Sequence, residues 1–262
     1  MSRGDAVLHR SPGAGASMIR VGVGGWVFPP WRGVFYPPGL PQARELGYAS
    51  RQLTTIEING TFYGPQKPAS FRRWHDETPE DFVFSLKGPR FATHRPDLAG
   101  AGPVFERFIS SGIVELGDKL GPILWQFPPN MPIDEGALAA FLELLPHHID
   151  GRALRHAVEF RRPGVATAPV IELLRRNKVA LVVDDSRPDF EITADFVYVH
   201  LRRCADDEPD GYPADELDAR AQRLRERSAQ DACDYFVYFI SGAKIRAPAA
   251  ARALLQRLIL AP

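Results

Sequence analysis

The chain has 262 residues, 45% of them hydrophobic and 24% charged, a balance that suits one globular domain with a substantial core. Lysine plus arginine equals aspartate plus glutamate at 32 each, so bulk charge marks neither a nucleic-acid binder nor a partner for cations, although a local basic patch stays open. No apolar run nears the ~20 residues of a membrane helix, and Cys204 and Cys233 form no CxxC pair, so the chain reads as cytoplasmic, with reduced structural cysteines and no membrane partner.

The first 17 residues are polar, rich in Gly, Ala and Ser, and lack the apolar core of a signal peptide. They are expected to form a disordered extension over 1–17, ahead of a single domain over 18–262, with Met18 as an alternative start. From Ile19 onward, short apolar runs alternate with longer amphipathic stretches. The runs are Ile19–Gly25, Thr54–Asn59, Phe82–Lys87, Ile123–Phe127, Leu154–Arg161, Val179–Asp184, Phe196–Arg202 and Tyr235–Ile240, rich in Val, Ile, Leu and Phe, as buried parallel strands are. Helices are predicted between them at Gly102–Leu116, Asp134–Leu145, Ala166–Asn177, Pro213–Gln230 and Pro248–Leu260, with shorter, irregular ones near Gln42–Arg51 and Pro68–Glu77.

Strands that alternate with helices predict an α/β fold, because every parallel connection needs a crossover. Two architectures compete. An open doubly wound sheet normally carries a glycine-rich phosphate turn after its first strand, and here that turn runs Gly24-Gly25-Trp26-Val27-Phe28-Pro29-Pro30, with prolines and aromatics unsuited to a dinucleotide. The expected fold is therefore a single (β/α)8 TIM-type barrel of parallel strands.

In such a barrel, side chains alternate between the interior and the helices. With the apolar set facing the helices, the interior receives Gly22, Gly24 and Trp26; Thr55, Glu57 and Asn59; Ser85 and Lys87; Gln126; Ala157, Glu159 and Arg161; Val182 and Asp184; Tyr198, His200 and Arg202; and Phe236, Tyr238 and Ile240. The polar members fall at the C-terminal strand ends, where barrels of this kind keep their active sites. Interior charges are costly unless paired or used.

Each residue also has a structural reading. Glu57 suits an ion pair with Lys87 or Arg161, Asp184 with Asp185 a cap, Gln126 a partner for backbone groups, His200 a satisfied interior histidine, and Trp26 a plug of the mouth. His156 falls on the apolar face of its strand and reads as structural, whereas His147 and His148 follow a helix and read as exposed.

Several ordered motifs resemble a known family. They are Gly24-Gly25-Trp26 with Trp31-Arg32-Gly33 and Phe35-Tyr36-Pro37, then Thr55-Ile56-Glu57-Ile58-Asn59 followed by Thr61-Phe62-Tyr63, then Thr93-His94. Lys119-Leu120-Gly121-Pro122 leads to Gln126-Phe127-Pro128-Pro129, and Ala157-Val158-Glu159-Phe160-Arg161 completes the set. Together they resemble the YecE-like family, also called domain of unknown function 72. The resemblance implies a TIM-type barrel and no established reaction. The second half departs from the family pattern: Arg162-Pro163-Gly164-Val165 replaces a basic residue followed by Ser-Trp, His200-Leu201-Arg202-Arg203 permutes an Arg-Leu-His-Gly order, and Ile240-Ser241-Gly242 stands where paired asparagines are usual.

Three functional expectations follow. The first is a hydrolase or lyase acting on a phosphorylated, sugar or nucleotide-type substrate. Glu57, Glu159, Asp184 and Lys87 would supply the chemistry, Trp26, Tyr63 and Tyr238 would stack on the substrate, and Asn59, His94, Gln126, Arg161, His200 and Arg202 would bind it. The sequence requires no cofactor, and the carboxylates with His200 or His94 leave room for a divalent metal. A multi-zinc site, as in the zinc endonuclease and isomerase barrels that the family resembles, needs a richer histidine set. The second is a non-catalytic barrel that binds nucleotide or nucleic acid, with Arg90, His94, Arg95, Arg161, Arg162, Arg202 and Arg203 on phosphates. The third is a barrel that keeps the fold and has lost an ancestral activity. The sequence leaves the oligomeric state open.

Overall fold

The computed structural model describes residues 17–185 and 190–260, apart from the side chain at position 260. The extension expected over 1–17 thus lies outside the described residues except for Ser17, whose hydroxyl donates to the carbonyl of Ser228 at 2.9 Å.

Nine parallel strand segments form one sheet: β1 (Ile19–Gly24), β2 (Thr55–Ile58), β3 (Val83–Lys87), β4 (Leu120–Phe127), β5 (His156–Phe160), β6 (Val179–Leu181), β7 (Val183–Asp184), β8 (Phe196–Leu201) and β9 (Asp234–Phe239). They are bonded in the order β6-β5-β4-β3-β2-β1-β9-β8-β7. The two ends of that order, β6 and β7, are consecutive pieces of one strand split at Val182, so the sheet returns on itself as a TIM-type barrel of eight staves. A small antiparallel hairpin pairs His148 with Ala153 and Ile149 with Arg152 ahead of β5.

The helices are α1 (Glu45–Ala49), α2 (Gly60–Tyr63), α3 (Pro68–Glu77), α4 (Arg90–Thr93), α5 (Gly102–Ile109), α6 (Glu135–Glu143), α7 (Ala168–Arg176), α8 (Ala214–Asp231) and α9 (Ala247–Leu260); all fall on the expected amphipathic stretches except α2 and α4, single turns after β2 and β3 that lie outside them. Asp134 caps α6 by accepting from the backbone N–H of Ala137 at 2.8 Å. In α8, Leu217, Ala221, Leu224 and Ser228 recur at helical spacing and form its buried stripe. The helix expected over Gly102–Leu116 stops earlier, at Ile109, because Gly112 turns left-handed at φ 99° and the chain continues as a 3-10 stretch over Ile113–Lys119.

Two cores result. The larger packs the outward faces of the strands against the helices, for example Val21, Val23, Ile56, Phe84, Trp125 and Val158. The smaller fills the barrel interior with Leu124, Ala157, Ala180, Phe196, Tyr198, Phe236 and Tyr238. Alternation along each strand separates the two sets. His156 belongs to the outer layer, where its Nδ1 accepts from Trp125 Nε1 at 3.1 Å and its Nε2 faces the carbonyl of Pro146 at 2.8 Å. Burial pushes its pKa down to about 4.

A polar relay in the barrel mouth

Above the apolar interior, adjacent strands deliver charged side chains to one level. Register aligns Glu57 with Gly24 and Ser85, Gln126 with Glu159, and His200 with both Asp184 and Tyr238. Glu57 is wholly buried. Its Oε2 accepts from the Tyr198 hydroxyl at 2.6 Å and lies 2.8 Å from His200 Nε2. The other ring nitrogen, His200 Nδ1, lies 3.3 Å from Glu159 Oε1. Each ring nitrogen of His200 therefore faces a carboxylate oxygen.

Glu159 is heavily engaged. Gln126 Nε2 donates to its Oε2, Arg202 Nη2 contacts its Oε1, and Arg161 Nη1 stands 3.9 Å from the same oxygen. Glu57 contrasts with it: Oε1 is buried and has no hydrogen-bond partner among the described residues, as is also true of Arg202 Nε. Burial alone would raise the Glu57 carboxyl, yet His200, Lys87 and Tyr198 together hold it below the ordinary carboxylate range. Burial and the Glu57 charge push the Tyr198 hydroxyl well up.

Lys87 ends β3 with its ammonium over the Phe62 ring, 4.6 Å from the centroid. Burial pushes its pKa down, opposed by Glu57 and helped by Arg161 and Arg202. Its backbone is fixed from two sides. Thr61 Oγ1 donates to its carbonyl at 2.7 Å, and the next residue, Gly88, donates to the carbonyl of Leu124 at 2.8 Å.

The mouth thus gathers Glu57, Lys87, Gln126, Glu159, Arg161, His200 and Arg202, with Asp184 at the level of His200. Asn59 precedes α2, and Tyr63 ends that helix 69% exposed. His94 is exposed beside Phe62, ring centroids 5.4 Å apart, with its pKa lowered by partial burial and by the neighbouring Arg90 and Lys87.

Two expected contacts fall elsewhere. Trp26 packs edge-on against Trp74 of α3, centroids 5.2 Å apart, and against Phe84 on the helix side of β3. Gly25 adopts φ 73°, which breaks the strand alternation and turns Trp26 toward the outer layer. Tyr238 is completely buried, and its hydroxyl bonds Thr55 Oγ1 at 2.8 Å and Ser85 Oγ at 2.5 Å, so it is interior framework rather than a stacking surface. Tyr198, expected in the interior but not among the site residues, holds Glu57 Oε2; its position two residues before His200 on the same strand face was the available signal. Asp185 is likewise structural, since its carboxylate accepts from the Arg202 backbone N–H at 2.7 Å and from the Tyr212 hydroxyl at 2.5 Å.

Among the described residues no three His, Cys, Asp or Glu side chains converge as a metal-binding set. No described helix is long and apolar enough to cross a membrane.

Fold and mouth together define a TIM-type barrel with a charged C-terminal mouth. A family model described as a protein of unknown function, DUF72, matches residues 20–262, and the chain belongs to that family. The UPF0759 protein YecE of Escherichia coli (strain K12) is 30% identical over 173 residues, covering 65% of this chain and 60% of that protein. The UPF0759 protein YunF of Bacillus subtilis (strain 168) is 28% identical over 160 residues, covering 59% of this chain and 55% of that protein. These matches therefore span less than two thirds of either curated relative. The crystal structure of a DUF72 family protein from Thermotoga maritima MSB8 has a TM-score of 0.71 at 23% identity, covering 92% of this chain and 99% of that one, and shows the shared fold.

Proposed function

We propose that the barrel mouth is the active site of a hydrolase or lyase that takes a small anionic substrate, phosphorylated, sugar-like or nucleotide-like. One observation carries this reading: the buried Glu57 carboxylate is fixed through Oε2 by Tyr198 and His200, while Oε1 has no partner among the described residues. A purely structural ion pair would be expected to satisfy both oxygens, because an unpaired buried acceptor is costly. A positioned acid–base group needs one oxygen held and one left for the substrate. Arg161, Arg202 and Lys87 supply cations for an anionic group, and Asp184 offers a further carboxylate at the same level. Glu159 is a positioning residue, since its oxygens are already occupied by Gln126, Arg202 and His200.

The test is turnover of a panel of phosphorylated sugars and nucleotides by the intact protein and by Glu57→Gln. Loss of turnover with retained ligand binding in the variant supports the reading. A panel member that binds but is turned over by neither protein overturns it.

A second reading, a non-catalytic nucleotide or nucleic-acid binder, is favoured by the rim. Arg90, Arg161, Arg162 and Arg203 are exposed there, together with the aromatic faces of Tyr63 and Phe91. Steep weakening of oligonucleotide binding with added salt, and no turnover of any panel member by the intact protein, would select it.

A further inference from the structure

Lys87 differs from the other four lysines of the chain, Lys67, Lys119, Lys178 and Lys244. Lys119 is tied down, since its ammonium donates to the carbonyls of His75 and Thr78 and to Thr78 Oγ1. Lys244 shares an aromatic setting, 4.7 Å from the Phe28 centroid and 5.8 Å from that of Trp31, but it stands on the 3-10 turn Lys244–Arg246 after the last strand rather than inside a barrel strand. Lys87 is rooted in a strand inside the mouth, with its backbone fixed on both sides and its amine over Phe62. Among the described residues its amine has no hydrogen-bond or ion-pair partner, although Glu57, Arg161 and Arg202 are near enough to act on its charge.

An ammonium kept for stability would be expected to hold a carboxylate or carbonyl, as Lys119 does. An amine left without a partner, against an aromatic face and among guanidinium groups, meets the requirements of a nucleophile toward a carbonyl carbon. Resting on the reading of the mouth given above, we infer that Lys87 forms an imine with a small ketone or aldehyde that also carries a phosphate or carboxylate.

In that step the neutral amine adds to the carbonyl carbon. The amine proton passes to the carbonyl oxygen, giving a carbinolamine. Protonation of that hydroxyl and loss of water leave the protonated imine. The net change joins amine, carbonyl compound and one proton to give iminium and water, with no oxidant or reductant. The iminium then accepts the electron pair from a bond to the neighbouring carbon, which is the chemistry of a lyase rather than a hydrolase. Arg161 and Arg202 hold the anionic end of the substrate. Glu57, with Oε1 uncommitted, receives or returns the proton at the adjacent carbon. The depressed basicity of Lys87 keeps a larger fraction of the amine neutral near neutral pH.

The experiment incubates the intact protein separately with dihydroxyacetone phosphate and pyruvate, reduces each mixture with borohydride, and maps the adducts over the five lysines by peptide mass spectrometry. Binding of each probe is measured in parallel by calorimetry without reductant. The inference expects labelling of Lys87 about tenfold above any other lysine, suppressed by inorganic phosphate and reduced about tenfold in Arg202→Gln. It also expects that Lys87→Arg carries no label at that position and keeps the circular dichroism spectrum of the intact protein. Adducts spread over Lys67, Lys178 and Lys244, with none at Lys87, would overturn it. A probe that binds without forming an adduct at Lys87 overturns the imine and leaves the acid–base anion site standing. A failure of both probes and of inorganic phosphate to bind overturns both.

Discussion

His200 Nε2 lies 2.8 Å from Glu57 Oε2, and neither side chain is exposed to solvent. Removing one member of a buried pair leaves the other charge uncompensated, whereas replacing both by apolar groups can be close to neutral. His200→Leu is therefore expected to cost about 3–5 kcal/mol of stability, and Glu57→Leu with His200→Leu to recover much of it. Denaturant unfolding of the wild type, both single variants and the double variant checks the coupling. Strictly additive losses would mean that the two groups do not depend on each other.

Tyr238 tests the depth of the site. Its hydroxyl serves Thr55 and Ser85, and the residue is wholly buried. Tyr238→Phe is expected to lose about 1–2 kcal/mol of stability, as for a buried hydrogen-bonding group left without its partner. Ligand affinity should stay unchanged. A calorimetric comparison in which affinity falls while stability holds would return Tyr238 to the binding surface.

Acid should weaken the fold in two stages. His156 is held near a pKa of about 4, against 6.5 for the free group. The unfolded chain thus takes up a proton that the folded chain refuses between those values. Stability is full above about 6.5 and falls by up to about 3 kcal/mol as the pH approaches about 4. Below the ordinary carboxylate value, Glu57 adds a second loss, because its depressed folded pKa favours the ionised folded form and that advantage disappears as the carboxylate protonates. Melting temperatures of the wild type and His156→Gln from pH 7 to 4 isolate the first stage, which should be flattened in the variant.

The strand faces were legible in the sequence because the period of two is strict from Thr55 through Glu57 and from Ser85 to Lys87. That period placed Glu57, Lys87, Glu159 and His200 inside the barrel, and it placed His156 in the outer layer. It states a face but not a depth. Tyr238 and Tyr198 both lie on the inner face, and only their hydrogen bonds show that one ties Thr55 to Ser85 while the other reaches Glu57. Trp26 escaped for a different reason. The left-handed turn at Gly25 ends the alternation just before it, and a glycine does not announce its φ in sequence.

Glu57 is a buried carboxylate beside the proposed anion site, and the most direct measurement of that pairing is calorimetric titration of inorganic phosphate into the wild type, Glu57→Gln and Arg202→Gln. The account predicts binding to the wild type, about tenfold tighter binding to Glu57→Gln once the buried negative charge is gone, and about tenfold weaker binding to Arg202→Gln. Phosphate affinity that is the same in all three proteins would contradict it.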